Sequence, residues 1–229
     1  MDFKNKKWDE LERLRDEVNE LSKSKNVDHK MIRMKTRLER IVELDPTDKI
    51  ALFWLGDFWF QCELYEKALG YFEKTIKLDE NHTYAWFYKG MILNETEKYK
   101  DAIKIFDKIR LMDEPPDETW FNKGVALHNL EKYKQALECY EQYLKYDEKN
   151  QNDPKALIYK SEVLLELGKN DDAIICYDRA VKFDNSLKKY MERPKPKMGL
   201  GKRALRQIGI GIACWGMFHG IIVVTRLFL

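Results

Sequence analysis

The sequence of 229 residues is poor in residues that break helices and in residues that cross-link chains. It holds six prolines and eleven glycines, and its four cysteines lie far apart, at Cys62, Cys139, Cys176 and Cys214. Few prolines favour long helices, because proline removes a backbone donor and ends a helix. The cysteines form no Cys-x-x-Cys pair, which excludes a disulfide framework or a zinc site of known spacing. We expect them to be reduced and mostly buried.

The net charge is also small, +2, because 41 Lys and Arg stand against 39 Asp and Glu. Residues 188–229 hold nine basic residues and one acidic residue, Glu192, which leaves 32 basic and 38 acidic residues in 1–187. A mildly acidic body lacks the positive surface that phosphate contacts require. The composition therefore argues against nucleic acid as a partner. An RNA-binding helical repeat remains an alternative that only the basic segment could serve.

Motifs of catalysis are missing as well. No serine or cysteine stands at a recognisable spacing from a base, and His-Glu-x-x-His does not occur. The segment Gly199-Leu-Gly201-Lys202 has a partial likeness to a phosphate loop, but Arg203 stands where Ser or Thr would bind the metal ion. We expect no enzyme activity, no cofactor and no metal site.

What the sequence does contain is a repeat of 34 residues, in copies at 49–82, 83–116 and 117–150. A fourth copy, 154–187, follows an insertion of three residues. Each copy holds two segments of helical period separated by a short polar turn. Small residues let the two helices approach closely, and large rings fill the space beside them. The repeated residues are Gly56, Gly90 and Gly124; Ala68, Ala102, Ala136 and Ala173; Tyr65, Tyr99 and Tyr133; and Phe72, Phe106, Tyr140 and Tyr177.

These residues resemble the tetratricopeptide repeat, a hairpin of two helices. The resemblance implies an all-α fold, a right-handed helical-repeat solenoid. Departures from the family pattern are Lys89, Lys123 and Lys160, which replace the usual leucine before the glycine, and Ser161, which replaces the glycine itself. The pattern reads Trp86, Gly90, Tyr99, Ala102 and Phe106 in one repeat, and Trp120, Gly124, Leu127, Tyr133, Ala136 and Tyr140 in the next.

Residues 1–48 are predicted to form N-terminal capping helices with a degenerate repeat at about 15–48. Met34, Leu38 and Leu44 precede the corresponding residues of the first clear repeat by 34. Charged residues on the predicted first helix suit a cap that meets water on one side. An unrelated N-terminal helical hairpin is the alternative.

The resemblance also implies a concave wall, built from the first helix of each repeat, that binds a peptide segment of another protein. Its lining should be the second, fifth, ninth and twelfth residues of each repeat, together with Asn122; we call these the groove positions. An apolar stripe at the fifth places favours a ligand with hydrophobic side chains, unless those rings simply pack between helices. A carboxylate clamp is not expected, because only Asn122 and Lys155 stand in comparable places. The candidate residues are Phe53, Asp57, Phe60, Tyr84, Phe87, Met91, Glu118, Phe121, Asn122, Val125, His128, Lys155 and Ile158, and the remaining groove positions are Ile50, Asn94, Glu162 and Leu165.

After the repeats, residues 188–207 are predicted to be a basic, proline-containing linker, and residues 208–229 a hydrophobic helix. Residues 208–225 carry no charge, and counting past Arg226 to Leu229 gives a segment of 22 residues. About 20 apolar residues span a bilayer. We predict a transmembrane helix that tethers a cytoplasmic repeat domain to a membrane, with the basic residues on the cytosolic side. The alternative is a terminal helix that packs on the stack or in its own groove.

Four small residues in this segment, Gly209, Ala213, Gly216 and Gly220, recur at spacings that allow two transmembrane helices to pack closely. They predict a possible route to a homo-oligomer. Taken together, the sequence predicts a non-enzymatic adaptor that binds a segment of a partner protein.

Overall fold

The computed structural model of the protein describes residues 3–23 and 30–187, and these residues form ten α-helices and no strand. This confirms the prediction of an all-α helical-repeat fold. None of these helices is both long and apolar enough to cross a membrane. The predicted linker 188–207 and hydrophobic helix 208–229, including Gly209, Ala213, Gly216 and Gly220, lie outside the described residues. The helices are α1 (Phe3–Lys23), α2 (Lys30–Leu44), α3 (Lys49–Gln61), α4 (Tyr65–Leu78), α5 (Thr83–Glu95), α6 (Tyr99–Ile109), α7 (Glu118–Asn129), α8 (Tyr133–Tyr146), α9 (Pro154–Glu166) and α10 (Asn170–Phe183).

The described residues fall into two compact units. The first contains residues up to Ile92, and the second begins at Leu93, so the division falls inside α5. The first unit therefore holds α1 to α4 with most of α5, and the second holds the end of α5 with α6 to α10.

In the first unit, α1 and α2 pack on each other and on α3. Leu11 and Leu14 of α1 share a buried core with Leu38 and Ile41 of α2 and with Leu55 of α3. Helix α1 has 21 residues against 13 for α3, and it begins twelve residues before the predicted start of the degenerate repeat. The first helix of this hairpin is thus longer than a repeat helix. Whether it is a true repeat stays a prediction.

Small and large residues meet where two helices of a repeat are closest, as the sequence pattern predicts. A Cβ added to Gly56 would lie 2.7 Å from Cε1 of Phe72, and one added to Gly124 would lie 2.5 Å from Cε1 of Tyr140. Neither ring has room for a larger neighbour, since both are fully buried. In the fourth repeat the Ser161 hydroxyl donates to a backbone carbonyl of α10 at 2.8 Å, which explains why a serine is tolerated there.

The second unit has two buried clusters. One joins α7, α8 and α9 through Phe121, Tyr140 and Val163, and the other joins α9 and α10 through Leu157 and Tyr177. Helix α9 contributes to both clusters and so lies at the centre of the unit. Its start is secured by Asp153, whose side chain accepts hydrogen bonds from the first backbone N–H groups of the helix.

The lysines that depart from the family pattern form ion pairs with the second helix of the preceding repeat. Each lysine side chain is more buried than its carboxylate partner, and each pair joins neighbouring repeats. Such partly exposed pairs contribute up to about 1 kcal/mol. The pairs are Lys89 with Glu73 at 2.7 Å, Lys123 with Asp107, and Lys160 with Glu141 at 3.0 Å.

Each turn between the two helices of a repeat contains one residue with left-handed backbone. Its φ is 59° at Glu63, 61° at Glu97, 61° at Glu131 and 74° at Gly168. The flanking hydrogen bonds close a Schellman motif, as in the bond from the Leu64 N–H to the carbonyl of the residue five earlier, at 3.0 Å. Only the fourth repeat has the glycine that this conformation favours.

We expect Glu63→Gly to raise the free energy of unfolding by about 0.5–1 kcal/mol, because glycine adopts positive φ without a Cβ clash. The reverse change, Gly168→Ala, should lower it by about 1 kcal/mol, since no other atom crowds that position and only the backbone is strained. Urea denaturation measures both. Glu63→Ala, which removes the carboxylate but keeps the Cβ, serves as control, and an equal gain from it would show that the backbone is not the cause.

Candidate ligand-binding face

In the first unit, the predicted groove residues Phe53 and Phe60 lie half-buried around Tyr88 of α5. The ring centroids of Phe53 and Phe60 are 5.8 Å and 5.1 Å from that of Tyr88. Both rings therefore pack between helices, which is the alternative to ligand contact given for the aromatic residues above. Met91 is half-buried, and Tyr84 is the most open of this set, with 40% of its surface exposed.

Asp57, at the ninth place of the first clear repeat, is buried and has partners within its own unit. Gln61 Nε2 lies 3.5 Å from Asp57 Oδ1, and the Tyr88 hydroxyl also donates to this carboxylate. Burial raises the pKa of Asp57, and the two hydrogen bonds partly oppose that rise. Asp57 thus joins α3 to α5. Its hydrogen bonds within the first unit account for the buried carboxylate without the predicted contact with a ligand.

The apolar stripe at the fifth places is a packing element in three of its four members. Phe87, Phe121 and Ile158 are 7%, 5% and 1% exposed. The Phe121 ring contacts Tyr159 at 5.3 Å between centroids, so neighbouring helices of the same unit cover it. The sequence predicted that these side chains form an open apolar wall. In the structure these three are buried, because each packs against apolar side chains nearby.

Among the groove positions of the second unit that remain accessible, Val125 and Leu165 are apolar and the others are polar. Glu118 is exposed, and Asn122, Val125, His128 and Lys155 are half-buried. The Asn122 carbonyl accepts from Asn94 Nδ2 at 2.9 Å, which joins the end of α5 to α7. These five residues lie on the first helices of two successive repeats, α7 and α9.

Lys155 places its ammonium Nζ 4.8 Å from the centroid of the Phe121 ring. It makes no ion pair within 4.0 Å among the described residues. Burial lowers the pKa of Lys155, and the carboxylates of Asp153 and Glu95 partly oppose this. A cation over an aromatic face is stabilised by the ring quadrupole but keeps its donors for a ligand.

Glu162 is the functional candidate that sequence reasoning placed at a groove position but did not select. Only 5% of its surface is exposed, and its Oε1 has no hydrogen-bond partner among the described residues. Burial, with a contribution from Glu166, raises the pKa of Glu162 well above its ordinary value. A single Glu in a chain rich in Glu gives no signal in the sequence, because its burial depends on helices from other repeats.

The hydroxyl of Tyr140 is a second buried polar group without a partner in the described part of the chain. Burial raises the pKa of Tyr140, and so do the nearby Tyr159 and Glu162. The pKa of Tyr159 is raised by burial and again by Glu162. Three oxygen-bearing side chains from α8 and α9 therefore converge in one part of the second unit.

A charged cleft of about 810 Å³ lies between α1 and α2 in the first unit. Its Glu17 carboxylate is already paired with Arg37 at 2.9 Å and with Arg13 at 3.8 Å. Within residues 3–23 and 30–187, no group of three or more His, Cys, Asp and Glu side chains is placed to hold a metal ion. The second unit therefore carries the better candidate for a binding site.

The sequences of the last two repeats match a known family. Residues 118–150 and 155–187 each match the tetratricopeptide-repeat family. The chain is a tetratricopeptide-repeat protein. Residues 36–109 match the family described as anaphase-promoting complex, cyclosome, subunit 3. No curated protein matches the chain significantly.

Solved structures share this tetratricopeptide-repeat fold at low identity. A MamA RS-1 double mutant aligns with a TM-score of 0.66 at 16% identity, over 79% of this chain and 98% of its own. MamA from residue 41 onward, from Desulfovibrio magneticus RS-1, aligns with a TM-score of 0.66 at 16% identity, over 78% and 97%. YrrB, described as a TPR protein with an unusual peptide-binding site, aligns with a TM-score of 0.56 at 23% identity, over 65% and 75%.

Proposed function

We propose that this tetratricopeptide-repeat protein is a non-enzymatic adaptor that binds a peptide segment of a partner protein at the groove positions of its second compact unit. One observation carries the proposal. The accessible groove residues of α7 and α9 share these two helices with the buried atoms Thr119 Oγ1 and Glu162 Oε1, which have no partner within the described residues. A small number of polar groups in fixed positions is what orients a bound ligand.

The fold is consistent with this role. Helical hairpins that repeat along a chain present the first helices on one side, and an extended or helical segment can lie against them. YrrB, whose fold is similar, is described as having a peptide-binding site. In this chain the half-buried Val125 and His128 supply apolar contact, while Lys155 and Asn122 supply donors.

Selection of a displayed library of random 12-residue peptides tests the proposal on the whole chain in mild detergent. We expect the enriched peptides to bind at least about tenfold more weakly to a Val125→Asp, His128→Asp variant, since about 1.4 kcal/mol of contact is lost for each factor of ten. Fluorescence anisotropy of labelled peptides measures the affinities.

The matched control is a Gln135→Asp, Gln142→Asp variant, which adds the same number of negative charges at exposed positions of α8. It should bind the peptides as the unaltered chain does. Equal weakening in both variants would indicate a general charge effect and argue against the site. Enrichment of no peptide at all would contradict the proposed function.

We also propose that residues 208–229 tether the repeats to a membrane, with the repeat domain on the cytosolic side. The support is the charge-free run of eighteen residues at 208–225 and the basic residues before it. Carbonate extraction and liposome flotation of the whole chain against residues 1–189 test this. We expect only the whole chain to float with the vesicles. If both stay in solution, the tether is wrong, and the segment belongs to the folded protein.

A further inference from the structure

Two exposed carboxylates lie on the groove side of the second unit. Glu118 stands at the second place of the third repeat, and Glu166 stands on α9 four residues after the groove position Glu162, on the same helix face. Within residues 3–23 and 30–187, neither carboxylate forms an ion pair within 4.0 Å. The half-buried Val125 and Leu165 offer apolar contact on the same two helices. We call this surface of α7 and α9 the groove face.

The lysine of the groove face does not neutralise it. Lys155 places Nζ 4.8 Å from the centroid of the Phe121 ring and forms no ion pair within 4.0 Å with any described residue. The carboxylates of Asp153 and Glu95 also lie near Lys155, since both raise its pKa against the effect of burial. Carboxylates therefore outnumber the lysine in this part of the second unit, and the groove face suits a basic occupant.

The chain leaves the described residues beside the groove face. Leu187, the last described residue, is 4% exposed and belongs to the buried cluster that contains Leu157 and Ile158 of α9. Ile158 is a groove position three residues after Lys155, about one turn of the helix. Residue 188 therefore follows directly from the first turns of α9, at the edge of the groove face.

The predicted linker that begins there has the opposite charge. Residues 188–207 hold eight basic residues and one acidic residue, a net charge of +7. Their centre is the run Arg193-Pro-Lys-Pro-Lys197. At about 3 Å per residue for a proline-rich segment, the ten residues after Leu187 reach about 30 Å. Packed helices lie about 8–10 Å apart, and α7 and α9 are in contact, so this length crosses both.

Attachment to the same chain makes a weak contact sufficient. A short flexible connection gives an effective concentration of about a millimolar, so a segment with a dissociation constant of that size occupies the face about half of the time. Pairs between exposed charges are weak and are screened by salt. A partner peptide that binds more tightly displaces such a segment.

We infer that the basic linker, residues 188–207, occupies the groove face of its own chain and competes there with partner peptides. Lys195 and Lys197 lie against the carboxylates of Glu118 and Glu166. The competition rests on the proposed peptide binding, whereas the contact itself does not depend on it.

Carbodiimide coupling, which joins a carboxylate directly to an amine, tests the contact on the whole chain in mild detergent at low salt. We expect amide cross-links from Lys195 or Lys197 to Glu118 or Glu166, mapped by mass spectrometry after proteolysis. They should be lost at about 1 M salt, where charges are screened beyond about 3 Å. Glu138, an exposed carboxylate on α8, is the matched control and should give no cross-link to these lysines. An equal mixture of nitrogen-15-labelled and unlabelled chains separates contact within one chain from contact with a second copy.

Peptide affinity tests the competition. A Lys195→Gln, Lys197→Gln variant should bind the selected 12-residue peptides about twofold more tightly, because the groove face of the unaltered chain is free only about half of the time. A Lys132→Gln, Lys134→Gln variant makes the same change of charge at exposed positions at the start of α8 and should bind them as the unaltered chain does. Fluorescence anisotropy measures the affinities.

The outcomes separate this inference from the proposed function. The absence of cross-links to Glu118 and Glu166 overturns the inference, and so does equal coupling to Glu138, which would mean that the linker contacts the surface at random. Cross-links that join only labelled to unlabelled chains also overturn it, since a second copy would then supply the segment. An unchanged peptide affinity in the Lys195→Gln, Lys197→Gln variant overturns the competition. If the cross-links form but the unaltered chain enriches no peptide, the contact stands and the proposed peptide binding fails.

Discussion

Gly124→Ala is expected to lower the free energy of unfolding by about 1–3 kcal/mol, although alanine is the better helix former. The added Cβ would lie 2.5 Å from Cε1 of Tyr140, closer than atoms in proteins approach. The Tyr140 ring is fully buried among Phe121 and Tyr159 and has no space to move into. Overpacking therefore outweighs helix propensity, which favours alanine by about 1 kcal/mol. Urea denaturation followed by tryptophan fluorescence measures the change.

Gly70→Ala is the matched control, because Gly70 is also a helical glycine but meets no atom within 4 Å of an added Cβ. It should raise the free energy of unfolding by about 0.5–1 kcal/mol. A double variant, Gly124→Ala with Tyr140→Leu, tests the clash directly. The smaller side chain should cancel part of the cost of the alanine, measured against Tyr140→Leu alone. Equal gains in stability at Gly70 and Gly124 would show that the two helices are not in close contact at Gly124.

Glu162→Gln is expected to raise the free energy of unfolding at pH 7 by about 1–3 kcal/mol, because it removes a buried carboxylate that has no donor in the described structure. Burial raises the pKa of Glu162 above the ordinary 4.5. The native state therefore holds this proton to higher pH than the unfolded chain does, and stability falls as pH rises from about 4.5 toward the native pKa. The gain from glutamine should be absent well below pH 4.5 and largest above the native pKa.

Denaturation curves between pH 3.5 and pH 8 measure this difference for Glu162→Gln and for Glu138→Gln, an exposed carboxylate on α8. The control should differ from the unaltered chain by no more than about 0.5 kcal/mol at each pH. A gain from Glu162→Gln that does not change with pH would mean that the pKa of the Glu162 carboxyl is the same in the native and unfolded states, and it would contradict the raised pKa.

The helices and their pairing were predictable from sequence because they depend on short-range spacing. Glycine opposite a large ring, sixteen residues apart, recurs in phase, and Gly56 with Phe72 and Gly124 with Tyr140 meet as expected. The left-handed turns were also within reach. Gly168 stands where Glu63 and Glu131 stand in other repeats, and a glycine at one copy of a turn is the usual mark of positive φ.

The site was less predictable, because exposure depends on which helices cover a position. Periodicity placed Phe121 and Ile158 on the groove side, yet both are buried by neighbouring helices of the second unit. Asp57 and Glu162 occupy the same place in their repeats, and nothing in the local sequence distinguishes a carboxylate that has donors from one that lacks them.

The sequence by itself determined the repeat, the two helices in each copy and the small residues at their crossing, since each follows from residue size and a fixed period along the chain. Only the tertiary structure decided which polar groups are satisfied. Gln61 and Tyr88 reach Asp57, whereas no described side chain reaches Glu162 Oε1. Hydrogen bonding is decided within about 3 Å, and the side chains that meet at that distance come from helices far apart along the chain.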